Sequence, residues 1–260
     1  MTGADTIQIY LWKKTEAGNP ESRELLKRAL ISYCREKGLS AHSDKLIVWE
    51  GACGKPYVQL AEAPEELFFS VSHTRSWWIC AVWNQELGAD IEERGRTISP
   101  AVARRFFHPS ERAYLEKAGW TPETMLEIWV RKEAYVKLLG TGLSHGLSRF
   151  SAVGQGFREE AGEMAGQEGK TEGARLEEPG WQPAQAPEEQ DGQPPKALKE
   201  PEKLKMGFRQ MEQNGKRFFW GDLFAAGATD EEGRNLPLIG AWCALSPAKG
   251  AEIRFLDKAL

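Results

Sequence analysis

Residues 158–205, REEAGEMAGQEGKTEGARLEEPGWQPAQAPEEQDGQPPKALKEPEKLK, contain no Ile, Val, Phe or Tyr and are crowded with Glu, Gln, Gly and Pro. Such a stretch cannot bury enough apolar surface to offset the entropy of ordering it, so a disordered insertion is expected there. The core must then come from the sequence on either side. The flanks alternate as strands do: LSRFSAV lies before the insertion, and GKRFFWGDLFAA and LPLIGAWCALS lie after it. A sheet is therefore expected to resume beyond the insertion, which loops out of one fold instead of separating two. With 260 residues, 41% of them hydrophobic, the chain has enough for one large domain or two small ones.

Upstream, TIQIYLW and KLIVWEG read as strands around a helical ESRELLKRALISYCREKG. GKPY is a turn. LFFSVSHTRSWWICAVWNQELGADIEE gives three strands joined by polar turns. From residue 99 the pattern turns helical, with Ser99 as a cap before Pro100 and a second helix from Pro109-Ser110. TPETMLEIWVRKEAYVKLLGTG is the clearest helix, with Thr121 to cap it and Gly140 to end it. SHTRSWWICAVW and LPLIGAWCALS are similar aromatic strands, a weak hint of two like halves.

A net charge of -4 argues against a general nucleic-acid binder, which needs clustered Lys and Arg along phosphates. Cys34, Cys53, Cys80 and Cys243 are scattered without metal or redox spacing, which suits a reduced, cytoplasmic protein. The opening MTGADTIQIYLWKK lacks the pattern of a secretory signal, and no apolar run is long enough to span a membrane.

Chemistry concentrates in two places. In LGADIE, Asp90 and Glu92 lie two apart on a strand and leave the same face, costly unless something positive sits between them. In WVRKEAYVK, Glu133 and Lys137 share a helix face. Each alone reads as an ordinary solvated pair. Together, three carboxylates make an all-oxygen site suited to Mg²⁺, which completes its shell with water and substrate phosphate oxygens. Ser72 and His73 at a strand end, and Lys55 in the Gly-Lys-Pro turn, add groups that can meet phosphate, although a surface turn is the plainer account of each.

These segments together resemble the 4'-phosphopantetheinyl transferases of the Sfp type. GKPY, FSVSHT, GADIE, RRFFHPSE and WVRKEAYVKLLGTGLS occur here in that family's order, and the interval from Asp90 to Glu133 is similar to the family's. The resemblance implies an α/β (α+β) fold of two similar subdomains related by a pseudo-twofold axis. Residues 1–88 would form the first, and 89–260 the second, carrying the insertion at about 158–205.

It also implies roles. Asp90, Glu92 and Glu133 would hold Mg²⁺. Arg23, Lys55, Pro56, Ser72, His73 and Lys137 would bind coenzyme A, the substrate, with Arg23 at the 3'-phosphate and Lys13 and Lys14 standing in for a basic N-terminal segment. Lys137 and Glu133 would be catalytic, Glu133 either as proton acceptor or only as a metal ligand. Apo acyl or peptidyl carrier proteins would dock near Ile98, Val102 and Phe106 on a monomer, with no nucleic acid and no membrane involved. Ala89 departs from the family's usual Val or Ile. Two rival functions remain, a Mg²⁺-dependent phosphohydrolase and a non-catalytic carrier-binding homologue.

Overall fold

Alternating β-branched and aromatic residues build the strands, and the turns between them fall at Gly, Asn and polar clusters. The computed structural model describes residues 6–16, 18–39, 46–51, 54–60, 67–142, 146–153, 209–213, 216–224, 229 and 233–256. The expected insertion at 158–205 lies outside the described residues. All described residues belong to one unit assembled from 1–159 and 205–260.

One four-stranded sheet contains β1 (Thr6–Lys13), β4 (Phe68–His73), β5 (Trp77–Trp83) and β10 (Gly250–Phe255), in the order β10-β1-β5-β4. A second contains β6 (Leu87–Glu93), β7 (Arg209–Gln213), β8 (Lys216–Leu223) and β9 (Leu238–Ala244), in the order β6-β9-β8-β7. β2 (Leu46–Glu50) and β3 (Pro56–Leu60) form a separate hairpin. The last strand, β10, runs parallel to β1, so the C-terminal part of the chain completes the first sheet.

Helix α1 (Ser22–Glu36) buries Leu26, Leu30 and Cys34 with Tyr10, Trp78 and Val82 of the first sheet. The two sheets share a second core of Ile7, Ile9, Ile79, Leu87, Ile91 and Trp242. The third core joins Phe218, Ile239 and Cys243 of the second sheet to α2 (Pro100–Phe106), α3 (Pro109–Ala118) and α4 (Pro122–Leu139). Ser99 accepts from the Val102 amide at the start of α2, and Thr121 accepts from the Thr124 amide at the start of α4, as their sequence positions predict. Gly140 ends α4 at φ 66°, in the left-handed region that glycine tolerates best.

The segment LSRFSAV departs from its strand reading. Residues Leu147–Arg149 form a 3₁₀ turn. The backbone groups that a strand partner would have satisfied are taken by side chains instead: the Phe150 carbonyl accepts from Lys132, and the Ala152 amide donates to the Glu111 carboxylate. GKPY is part turn and part strand, since β3 begins at Pro56.

Strand β6 lies directly against α4, and Gly88 is what permits the approach. A Cβ at this position would collide with the Ala134 carbonyl oxygen and the Leu138 amide nitrogen, both backbone atoms of α4 that no side-chain rotation can move. Gly88→Ala is expected to destabilise the protein by about 3 kcal/mol, read as a lower urea midpoint at unchanged slope, because the helix must shift off the strand.

Candidate active site

Alternation along β6 turns Ala89 and Ile91 into the core between the sheets, and Asp90 and Glu92 to the other face, where α4 passes. Helical spacing on α4 puts Glu133 and Lys137 on the side facing them. The result is a cleft of about 440 Å³ lined by Ser72, His73, Asp90, Glu92, Arg96, Trp129, Glu133 and Lys137, among others. Residues from three segments far apart in sequence therefore meet in one place, as the sequence predicts for Ser72, His73, Asp90, Glu92, Glu133 and Lys137.

The charges are arranged unevenly. Lys137 Nζ donates to Asp90 Oδ1 at 2.7 Å and to the Val71 carbonyl at 3.2 Å. Ser72 Oγ donates to the same Asp90 oxygen at 2.7 Å. Asp90 Oδ2 is buried and, among the described residues, has no hydrogen-bond partner. Glu92 is paired with Arg96. Glu133 is pushed up to about 7, by burial first and then by the negative charge of Asp90, with Lys137 and Arg96 opposing. His73 is held below the usual imidazole range by burial and by the neighbouring Lys14 and Lys137, so the ring is neutral at pH 7.

A divalent cation fits this set of donors. The candidate donors are all carboxylate oxygens, one of them is buried without a donor, and added positive charge would offset both the burial and the Asp90 charge that raise Glu133. Among the described residues, no group of three or more His, Cys, Asp or Glu is drawn together closely enough to hold a metal as it stands. Lys137 and Arg96 serve as the counter-charges of Asp90 and Glu92 in this conformation.

A second cavity of about 290 Å³ shares Val71, Glu133 and Lys137 with the first and continues to Lys55, Pro56, Ser70, Val136 and Gly140. Lys55 does not stand free there. Its ammonium donates to the Leu138 carbonyl at 2.5 Å, capping the last turn of α4, and burial lowers its proton affinity. Arg23 is exposed on the first turn of α1 and lines neither cavity. Ile98 is in the core, 5% exposed, while Val102 and Phe106 are half-buried. Phe106 stands edge-on to Trp129 with ring centres 6.4 Å apart, and that contact leads from α2 to the cleft wall.

Sequence reasoning missed Arg96 and Trp129 of the first cavity and Ser70 of the second. The first two carry no signal without the fold, but Ser70, Ser72 and Thr74 follow a spacing of two that was there to be read. Among the described residues, no helix is long and apolar enough to cross a membrane.

Residues 86–175 match the model of the 4'-phosphopantetheinyl transferase superfamily. The chain is 30% identical over 123 residues to a 4'-phosphopantetheinyl transferase of Aneurinibacillus migulanus, covering 46% of this chain and 49% of that protein. It is 34% identical over 132 residues to one of Bacillus pumilus, covering 50% and 55%. It is 36% identical over 100 residues to the 4'-phosphopantetheinyl transferase Sfp of Bacillus subtilis strain 168, covering 38% and 43%. The chain thus spans about half the length of the curated relatives it matches.

Proposed function

We propose that the protein transfers the 4'-phosphopantetheine arm of coenzyme A to a serine of an apo acyl or peptidyl carrier protein and releases 3',5'-ADP. One observation supports this above the others: Asp90, Glu92, Glu133 and Lys137 line a single cleft, and all four lie inside the stretch that matches the transferase superfamily. In the reaction the serine Oγ forms a bond to the phosphorus next to the pantetheine arm, and the bond from that phosphorus to the 3',5'-ADP oxygen breaks. Such a transfer depends on positioning and on neutralising charge on the phosphoryl oxygens more than on covalent help from the protein.

Asp90, Glu92 and Glu133 would hold Mg²⁺, which when bound supplies Lewis-acid polarisation of the substrate phosphates. Lys137, already at the mouth of the acid cluster, offsets negative charge on the pyrophosphate. His73, neutral and on the cleft wall, donates a hydrogen bond to it. Glu133, on the helix face beside Lys137, accepts the proton of the attacking serine. The second cavity, with Lys55 and Pro56 at its rim, takes the nucleotide side of coenzyme A, and Arg23 with Lys13 and Lys14 meets the 3'-phosphate.

The carrier docks on the exposed side of α2. Val102 and Phe106 supply the apolar contact there, and Arg104 and Arg105 face the acidic carrier, while Ile98 supports the helix from the core. We read residues 1–88 and 89–260 as two subdomains related by a pseudo-twofold axis, with β10 crossing back to the first, and the whole as a cytoplasmic monomer.

Incubation with coenzyme A, Mg²⁺ and an apo carrier protein is expected to raise the carrier mass by one phosphopantetheine in mass spectrometry. An unchanged carrier across several acyl and peptidyl types would sink the proposal. Release of free phosphate without carrier modification would instead favour a phosphohydrolase.

A further inference from the structure

Strands β4 and β6 are edges of different sheets, yet they run side by side, and the backbone does not join them. β6 spends half of its amides on β9, which leaves the alternate ones on the β4 side needing partners. They find hydroxyls. Ser70 Oγ accepts from the Ala89 amide at 2.9 Å, and Ser72 Oγ accepts from the Ile91 amide at 3.3 Å. Thr74 Oγ1 donates to the Glu93 carboxylate at 2.6 Å, and the Ser76 amide joins it at 2.8 Å. The three hydroxyls sit at every second residue of SVSHT: Ser70 and Ser72 alternate within β4, and Thr74, one residue past its end, reaches the same neighbour. Ser70 and Ser72 are both buried, 6% and 5% exposed, where a missing partner is costly.

We infer that Ser70, Ser72 and Thr74 form a hydroxyl ladder that fastens β6 to the first sheet, and that Ser72 is a positioning residue for Asp90. A serine has one proton to donate, and that of Ser72 is committed to Asp90 Oδ1. In this conformation the hydroxyl therefore orients the carboxylate. With Ser72 and Lys137 both on Oδ1, the carboxylate is turned so that Oδ2 is the oxygen left over. Ser72, a group that by its residue type can meet phosphate, becomes part of the device that sets the register and rotation of the acid strand.

The cation arm of the test rests on the proposed function, and the exchange arm does not. Unaltered protein, Ser70→Ala, Ser72→Ala and Ser72→Thr are compared by amide hydrogen exchange, by titration with Mn²⁺ alone, and by KM for coenzyme A. Ser72→Ala is expected to speed exchange at Ile91 by at least about tenfold and to weaken Mn²⁺ binding by about 10- to 100-fold, as loss of a ligand-orienting partner does. KM for coenzyme A should stay within about threefold, the range left when binding of the nucleotide is untouched. Ser70→Ala should speed Ala89 alone, and Ser72→Thr, which keeps the hydroxyl, should hold Ile91 and Mn²⁺ binding near the unaltered values.

A Ser72→Ala protein with unchanged Ile91 exchange and Mn²⁺ affinity but a KM raised about tenfold would overturn the inference and make Ser72 a phosphate ligand. Should Ser72→Ala fail to fold, unchanged Ala89 exchange in Ser70→Ala would overturn the ladder just as well. Absence of Mn²⁺ binding by the unaltered protein would sink the metal reading of the site, and amide exchange would still decide the ladder.

Discussion

Replacing Lys132 with Met is expected to cost about 3–5 kcal/mol of stability, the largest loss from any single substitution considered, because it strands a buried carboxylate. Lys132 and Glu111 are both 0% exposed. The ammonium reaches Glu111 at 2.8 Å and the Phe150 carbonyl at 2.7 Å, and it sits 4.2 Å above the centre of the Phe150 ring. Glu111 in turn accepts from the Ala152 amide at 2.6 Å and from the His108 amide at 2.7 Å, the latter completing the capping box at the start of α3. Met keeps the volume and removes the charge, so the penalty isolates the lost ion pair from any cavity.

Burial already pushes Glu111 above the usual carboxylate range, with the Lys132 charge opposing. Without Lys132 the folded-state value rises further above the unfolded one. An acid raised in the folded state binds more protons there than when unfolded. The variant's stability must therefore fall as pH rises from about 4.5 through the folded value, and its deficit must be smaller at pH 5 than at pH 8. Chemical denaturation at both pH values checks this. The double variant Glu111→Gln with Lys132→Met should recover part of the loss, since a neutral amide can still accept from Ala152 but cannot accept from His108 as well. A cost below about 1 kcal/mol for Lys132→Met would show that the pair is not what holds α3, α4 and the 147–153 segment together.

That pair also marks the limit of what was legible in the chain. Local signals are strong where the backbone itself dictates the residue. Ser99 and Thr121 cap helices where they are expected to, Gly140 takes a positive φ, and alternation places Asp90 and Glu92 on one strand face. Signals fail where a tertiary partner decides. Phe150 and Ala152 alternate like a strand but have their backbone groups taken by Lys132 and Glu111, which are distant in sequence. β7, RQMEQ, carries no apolar rhythm at all and is a strand through its pairing with β8. In the site, the carboxylates and Lys137 could be picked out because residue type limits what they can do. Ser72 could be picked out too, but its partner could not. Two strands from different sheets must be adjacent before a hydroxyl on one can serve the other, and no local pattern encodes that adjacency. Ile98 illustrates the converse, an apolar residue at helical spacing whose place in the core is set by the sheet behind it.

Asp90→Asn and Glu133→Gln are each expected to lower kcat/KM for carrier modification by at least about 10³-fold while leaving the fold in place. Both changes conserve shape, so the packing of β6 on α4 is undisturbed. The partners they release can adapt: Lys137 is 30% exposed and keeps the Val71 carbonyl, and Glu133 lies on the cleft wall. The melting temperature without added cation should thus move by only a few degrees, the shift that about 1 kcal/mol produces in a protein of this size. The decisive contrast is the response to Mg²⁺. A ligand that binds only the folded state stabilises it by about 2.7 kcal/mol at a hundred times its dissociation constant, so the unaltered protein should melt higher with Mg²⁺ present. Asp90→Asn and Glu133→Gln should lose that rise along with activity, because each removes one of the oxygens on which the charge of a cation would be spent. A variant that kept its Mg²⁺-dependent rise but lost transfer would separate binding of the cation from the work of the residue on the serine, and Glu133 is where that separation would be sought. Near-normal turnover in either variant would instead place the site elsewhere.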